Sequence, residues 1–137
     1  NSSILPLRGK TYDIMAHSDV LAVASGTATL EAGISGTPMV IVYRTSPLTY
    51  FIGKRVVKIQ DIGLINIVAG SRIVPELSQN EANPERIAGQ VTRFLKDAPF
   101  REKTSQLLAS ARAKLGEPGA SDRAASVALE LIRSAVL

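Results

Sequence analysis

The sequence predicts an α/β layer fold, a parallel sheet covered by helices, and three observations carry that prediction. Two short Val-rich apolar runs, Ser18–Ser25 (SDVLAVAS) and Thr37–Arg44 (TPMVIVYR), read as strands covered on both faces. They are joined by about two and a half turns of helical pattern from near Thr27 to Ser35, so the connection is a right-handed crossover and the strands run parallel. From Asn83 onward the pattern is helical.

Taken in order, SSILPL at the amino terminus reads as the stub of an earlier strand. KTYDIMAHSD reads as a helix with Ile14 and Met15 facing inward. Gly36 is placed to end the helix that starts near Thr27, because it tolerates the left-handed conformation. In SPLTYFIGKRVVKIQ, Ser46 is a good N-cap and Pro47 a good first helical residue. Leu48, Phe51, Ile52, Arg55 and Val56 then share one side of that helix. IGLINIVAGSRIVPEL is apolar but interrupted by Gly63, Gly70 and Pro75, and reads as loop, short strand, loop. Asn83 and Pro84 form a cap and first-turn pair, followed by Ile87, Val91, Phe94 and Leu95 at helical spacing. A further helix from about Pro99 to Leu115 carries Leu107, Leu108, Ala111 and Leu115. GEPGAS breaks it, and Ser121 caps a last helix with Ala124, Ala128, Leu131, Ile132 and Ala135. Two clear strands are few for a doubly wound sheet, so the sheet is expected to be incomplete and its amino-terminal part missing.

The chain's 137 residues fit one compact domain, with 45% hydrophobic and 20% charged residues. Its apolar runs are well short of the ~20 residues that cross a bilayer. No secretory signal is recognised, and Asn1 in place of Met suggests a fragment or processed product. With no cysteine, disulfides, thiolate catalysis and Cys-ligated metals are excluded. A net charge of +4 is too mild a surplus to signal nucleic acid. Its distribution tells more. Between Glu31 and Asp61 there is no acid, while Arg44, Lys54, Arg55 and Lys58 fall there with Tyr43, Tyr50 and Phe51. This segment is either a solvated face beside core aromatics or a surface for an acidic or lipidic partner.

The stretch ASGTATLEAG, Ala24 to Gly33, holds the candidate site. The first turn of a helix leaves N–H groups unpaired and carries about half a positive charge. Gly26 lets a ligand approach the main chain, and Ser25, Thr27 and Thr29 add hydroxyls. Such a helix start, at the carboxyl end of a strand in an open sheet, suits phosphate. Glu31 is not half of a capping box, since Ala28 stands three residues before it. It shares a face with Thr27, one turn above. A carboxylate there either accepts hydrogen bonds from vicinal hydroxyls, as on a ribose, or serves the helix dipole or a nearby arginine. His17, the only histidine, reads as a helix-surface residue and not as a base.

ASGTATLEAGISGTPMVIVYR, followed by NIVAG and VPELSQ, resembles the carboxy-terminal part of the lipid-A-disaccharide synthase family of GT-B glycosyltransferases, in order from about Met15 to Glu130. The resemblance implies that residues 1–137 are part of the Rossmann-like nucleotide-sugar-binding half, with a helical tail over 83–137 and the amino-terminal acceptor domain absent. Members transfer 2,3-diacylglucosamine from UDP to 2,3-diacylglucosamine 1-phosphate, releasing UDP. They act at the cytoplasmic face of the inner membrane of Gram-negative bacteria, without a nicotinamide, flavin or pyridoxal cofactor, and no metal site is expected. Carried over, Ser25, Gly26, Thr27 and Ala28 cradle the diphosphate and Glu31 holds the ribose. Asn66, in NxxAG, matches an asparagine important for activity. Glu76 and Gln79, in PELxQ, shape the nucleotide-sugar pocket. Arg44 lies at a strand end where a cation offsets phosphate charge, and Arg72 takes the phosphate role that Ser71 cannot. Asn66 and Arg44 are thus the catalytic candidates, and this chain's share of an inverting transfer is stabilisation of the leaving UDP.

Tyr50, Phe51, Ile52, Lys54, Arg55 and Lys58 are expected to set the protein near membrane lipid. The family's LPGSR-like motif and the domain that supplies the general base have no match here. Alternatives are another GT-B sugar-nucleotide enzyme, such as the lipid II-forming N-acetylglucosaminyltransferase or a UDP-N-acetylglucosamine 2-epimerase, or a non-catalytic module that packs against a partner or forms a homodimer.

Overall fold

The computed structural model describes residues 4–46 and 61–135. The helix expected from Pro47, with the lipid-facing candidates Tyr50, Phe51, Ile52, Lys54, Arg55 and Lys58, lies outside them. Helix α1 (Thr11–His17) leads into strand β1 (Leu21–Ala24), helix α2 (Thr27–Ser35) and strand β2 (Met39–Tyr43). After residue 60 come α3 (Leu64–Ala69), β3 (Glu76–Ser78) with a 3-10 turn (Gln79–Glu81), α4 (Pro84–Lys96), α5 (Ala98–Ala113) and α6 (Ala120–Ala135). The three strands form one parallel sheet in the order β1-β2-β3. Val23 pairs with Ile41, and Val42 with Leu77.

Strand alternation divides the core in two. Met39 and Ile41 of β2, with Val23, pack against Ala32 of α2, Ile65 of α3, and Leu108 and Ala111 of α5. Val40 points the other way, against Leu77, Phe94 and the flanking Ile87 and Val91 of α4. The central strand is therefore apolar at successive positions because both its faces are covered. Phe94 is fully buried and stacks on Phe100 at 4.8 Å. Burying one such ring contributes on the order of 2–3 kcal/mol.

Helices α2 and α3 approach closely at Gly33. A Cβ there would lie 2.5 Å from Ile65 Cδ1, so only glycine allows this packing distance. Both helices end in a left-handed glycine, Gly36 at φ 80° and Gly70 at φ 76°. Two cations of the α5 end reach their terminal carbonyls. Lys114 Nζ donates to Ala69 O at 2.6 Å, and Arg112 Nη1 to Ile34 O at 3.4 Å. Asn83 caps α4 through Arg86 N, with Pro84 in the first turn, as its sequence requires. Asp97 caps α5 through Phe100 N.

Several expectations are corrected. No strand forms over residues 4–10, where Ile4, Leu5 and Leu7 are exposed. In α1 only Met15 is buried. Ile14 is more than one-third exposed, because the helix rests on α2 along a single narrow face. The 62–78 stretch is helix then strand, not loop, strand, loop. Gly63 and Gly70 bound a short helix instead of interrupting a strand, and the strand begins after Pro75, at Glu76. Leu95, Leu107 and Leu115 are not core residues, and α5 ends at Ala113. The last helix starts at Ala120, one residue before Ser121, and its described residues are all exposed, Leu131 and Ile132 among them. Among the described residues, no helix is long and apolar enough to cross a membrane.

Candidate functional site

The parallel order brings the carboxyl ends of all three strands to one edge. There β1 turns through Ser25 and Gly26 into α2, β2 runs into Tyr43 and Arg44, and β3 runs into Gln79. Gly26 is the N-cap of α2 at φ 144°, a conformation that L side chains rarely adopt. No acid lies in its first turn, and among the described residues no side chain caps this helix and a Cβ at Gly26 would meet nothing within 4 Å. Among the described residues the start of α2 is therefore uncovered, with main-chain donors and a positive dipole end at this edge.

The hydroxyls of this stretch divide by role. Ser25 N donates to Val42 O at 3.0 Å and Ser25 Oγ to Ile62 O at 3.2 Å, so both its donors are engaged within the protein. Thr29, fully buried, donates to Gly26 O at 2.8 Å and accepts from Leu64 N at 3.1 Å. Thr27 is exposed, and among the described residues its hydroxyl makes no hydrogen bond. Ala28 and Glu31 are part-buried. Glu31 makes no ion pair or hydrogen bond among the described residues.

A second helix start lies beside the first and is closed. Glu76 on β3 accepts from Ile62 N through Oε2 at 2.8 Å and from Gly63 N through Oε1 at 2.9 Å, neutralising the beginning of α3. Gly63 has no room for a side chain, since a Cβ would lie 2.2 Å from Ile41 Cδ1. Asn66, fully buried, fixes the carboxylate in turn. Its Nδ2 donates to Glu76 Oε1 at 2.8 Å and to Val74 O at 3.0 Å, while Oδ1 accepts from Ile73 N at 2.9 Å and Val74 N at 3.1 Å. All four hydrogen-bonding positions of this amide are thus used inside the protein.

The remaining candidates are dispersed along the same edge. Arg44 is exposed and makes no ion pair among the described residues. Arg72 donates from Nε to Asp61 Oδ1 at 2.6 Å, and this hydrogen bond raises its pKa above the ordinary arginine value, desolvation working against it. Gln79 sits at φ 52°, unusual for a residue with a side chain, and its Nε2 is buried without a hydrogen-bond partner. Sequence reading missed residues 61–64 as a unit, because the side-chain hydrogen bonds that hold them come from at least eleven residues away. A groove of about 420 Å³ lined by Leu7, Lys10, Asp13, Ile14, His17 and Ser18 lies along α1, which leads into the opposite ends of the strands. His17 Nδ1 is hydrogen-bonded to Asp13 O there, as befits a helix-surface residue. Among the described residues no three His, Cys, Asp or Glu side chains gather as a metal site would require.

The family model described as lipid-A-disaccharide synthetase matches residues 1–131. The lipid-A-disaccharide synthase of Geobacter metallireducens is 50% identical over 129 residues, covering 94% of this chain and 34% of the relative. That of Geobacter sulfurreducens is 47% identical over 123 residues, 90% of this chain and 32% of the relative. The synthase of Myxococcus xanthus is 47% identical over 133 residues, 96% and 35%. The chain thus spans about a third of the length of the curated relatives it matches.

Proposed function

The chain belongs to the lipid-A-disaccharide synthetase family, and on that footing we propose that it is the carboxy-terminal, nucleotide-sugar-binding part of a GT-B lipid-A-disaccharide synthase. The whole enzyme transfers 2,3-diacylglucosamine from UDP to 2,3-diacylglucosamine 1-phosphate, and this part grips the UDP. The observation that carries the reading is the contrast between two neighbouring helix starts. That of α3 is closed by the Glu76 carboxylate, whereas that of α2 has no side-chain cap among the described residues and no acid in its first turn. The diphosphate lies on the Gly26, Thr27 and Ala28 amides and the Thr27 hydroxyl. Ser25 shapes the turn with both its donors turned inward. Glu31, without a partner among the described residues, accepts from the ribose hydroxyls one turn above.

Transfer puts negative charge on the departing diphosphate. Fixed amides at a helix start and the Arg44 guanidinium hold that growing charge better than they hold the ground state, and this difference accelerates the step. Losing one such donor costs a few kcal/mol, on the order of a hundredfold in rate. Asn66 and Glu76 reach no ligand in this arrangement, and Arg72 is committed to Asp61, so these three act by holding the loop beside the site. Gln79 adds its amide to the sugar end of the pocket. The basic and aromatic residues Tyr50, Phe51, Lys54, Arg55 and Lys58 meet the anionic surface from which acylated substrates come, at the cytoplasmic face of the inner membrane.

Calorimetric titration of UDP tests the reading. Saturable binding that falls at least tenfold in Glu31→Ala is expected. Equal binding by both proteins removes the ribose assignment, and no binding by either removes the nucleotide site.

A further inference from the structure

Residues 61–64 form a strap pinned at every position. Asp61 takes the Arg72 guanidinium at 2.6 Å. Ile62 N and Gly63 N donate to the two oxygens of Glu76, Ile62 O accepts from Ser25, and Leu64 N donates to Thr29. Two of these pins reach directly into the turn that opens α2, since Ser25 precedes Gly26 and the Thr29 hydroxyl also holds Gly26 O. A continuous chain of hydrogen bonds therefore runs from Asn66 through Glu76 and the strap to Gly26.

We propose that Glu76 is a positioning residue for the anion-binding turn, acting through the strap 62–64 to fix the direction of the Gly26–Ala28 amides. This deepens the nucleotide reading of the same edge and rests on it. Two physical points favour the assignment. A carboxylate accepting two main-chain amides and one side-chain amide makes charge-assisted bonds, roughly twice as strong as neutral ones. No other acid among the described residues makes an equivalent set of contacts to main-chain amides near the turn. Preorganised donors act only while their direction is held, and small losses of direction are costly for charge stabilisation. Glu76 thus contributes to binding without touching the ligand, and Ser25 and Thr29 transmit that contribution.

The test combines amide hydrogen exchange with UDP titration on the full chain carrying Glu76→Gln. The amide side chain keeps the shape but faces one main-chain N–H with another donor. Exchange at Gly26–Thr29 is expected to accelerate at least tenfold, with α4 and α5 unchanged, and UDP affinity to drop about tenfold. In a Ser25→Ala background the same substitution is expected to lower affinity clearly less than about tenfold, because one of the two pins into the turn is already cut. Unaltered exchange at Gly26–Thr29, or acceleration spread evenly over the whole chain, overturns the brace whatever UDP does. Accelerated exchange with wild-type UDP affinity overturns its role in the site, as does full additivity with Ser25→Ala. A wild-type chain that fails to bind UDP while Glu76→Gln still loosens the turn refutes the nucleotide reading and the positioning role together, leaving Glu76 purely structural.

Discussion

Replacing Asn66 by alanine is the sharpest perturbation of the core beside the site. The side chain is fully buried and supplies the acceptor for Ile73 N at 2.9 Å and Val74 N at 3.1 Å. Both residues are themselves buried, so no water replaces the lost oxygen. Each stranded N–H costs about 1–3 kcal/mol. The donors to Val74 O and Glu76 vanish as well, although Glu76 keeps its two main-chain amides. The expected destabilisation is about 2–5 kcal/mol, a large share of the roughly 5–15 kcal/mol that holds a domain together. In urea, with a slope of about 1–3 kcal/mol per molar, the midpoint should fall by about 1–3 M at unchanged slope. Asn66→Asp separates acceptor from donor. It still serves both amides but sets a second carboxyl group against Glu76. An alanine variant within 1 kcal/mol of wild type, on the order of the cost of one net hydrogen bond, refutes the claim that Asn66 ties α3 to β3.

Three further outcomes are expected. Gly26→Ala meets no neighbour but must adopt φ 144°, so it should cost on the order of 1–3 kcal/mol in a thermal melt and reduce UDP affinity, both measurable in one preparation. Gly33→Ala drives a methyl into Ile65 and should destabilise by about 1–3 kcal/mol, with part recovered by adding Ile65→Val, as urea unfolding will show. Reversing Lys54, Arg55 and Lys58 to glutamate should weaken sedimentation with anionic vesicles and leave neutral vesicles unaffected.

Local signals placed most of the fold. Val-rich runs set β1 and β2, Gly36 closed α2, and Asn83 with Pro84 opened α4, because each of these is decided by residues within one turn or strand. The stretch 62–78 misled because short apolar runs suit helix and strand alike, and what decides it is long-range. Asn66 closes the α3–β3 connection, and Leu77 pairs with Val42, far away in sequence. At the site the glycine-hydroxyl turn and Glu31 were legible as types of residue. The engagement of Ser25 and Thr29 was not, since their partners Ile62 and Leu64 lie more than thirty residues on. That Glu76 also caps another helix was not legible, because only the sheet order creates that role.

The central claim is that the open start of α2 grips the diphosphate of a uridine nucleotide. Following main-chain amide signals by NMR while UDP is added tests it most directly. The largest shifts are expected at Gly26, Thr27 and Ala28, with Glu31 next and the α1 groove silent. Shifts centred on any other surface, or none at saturating nucleotide, contradict it.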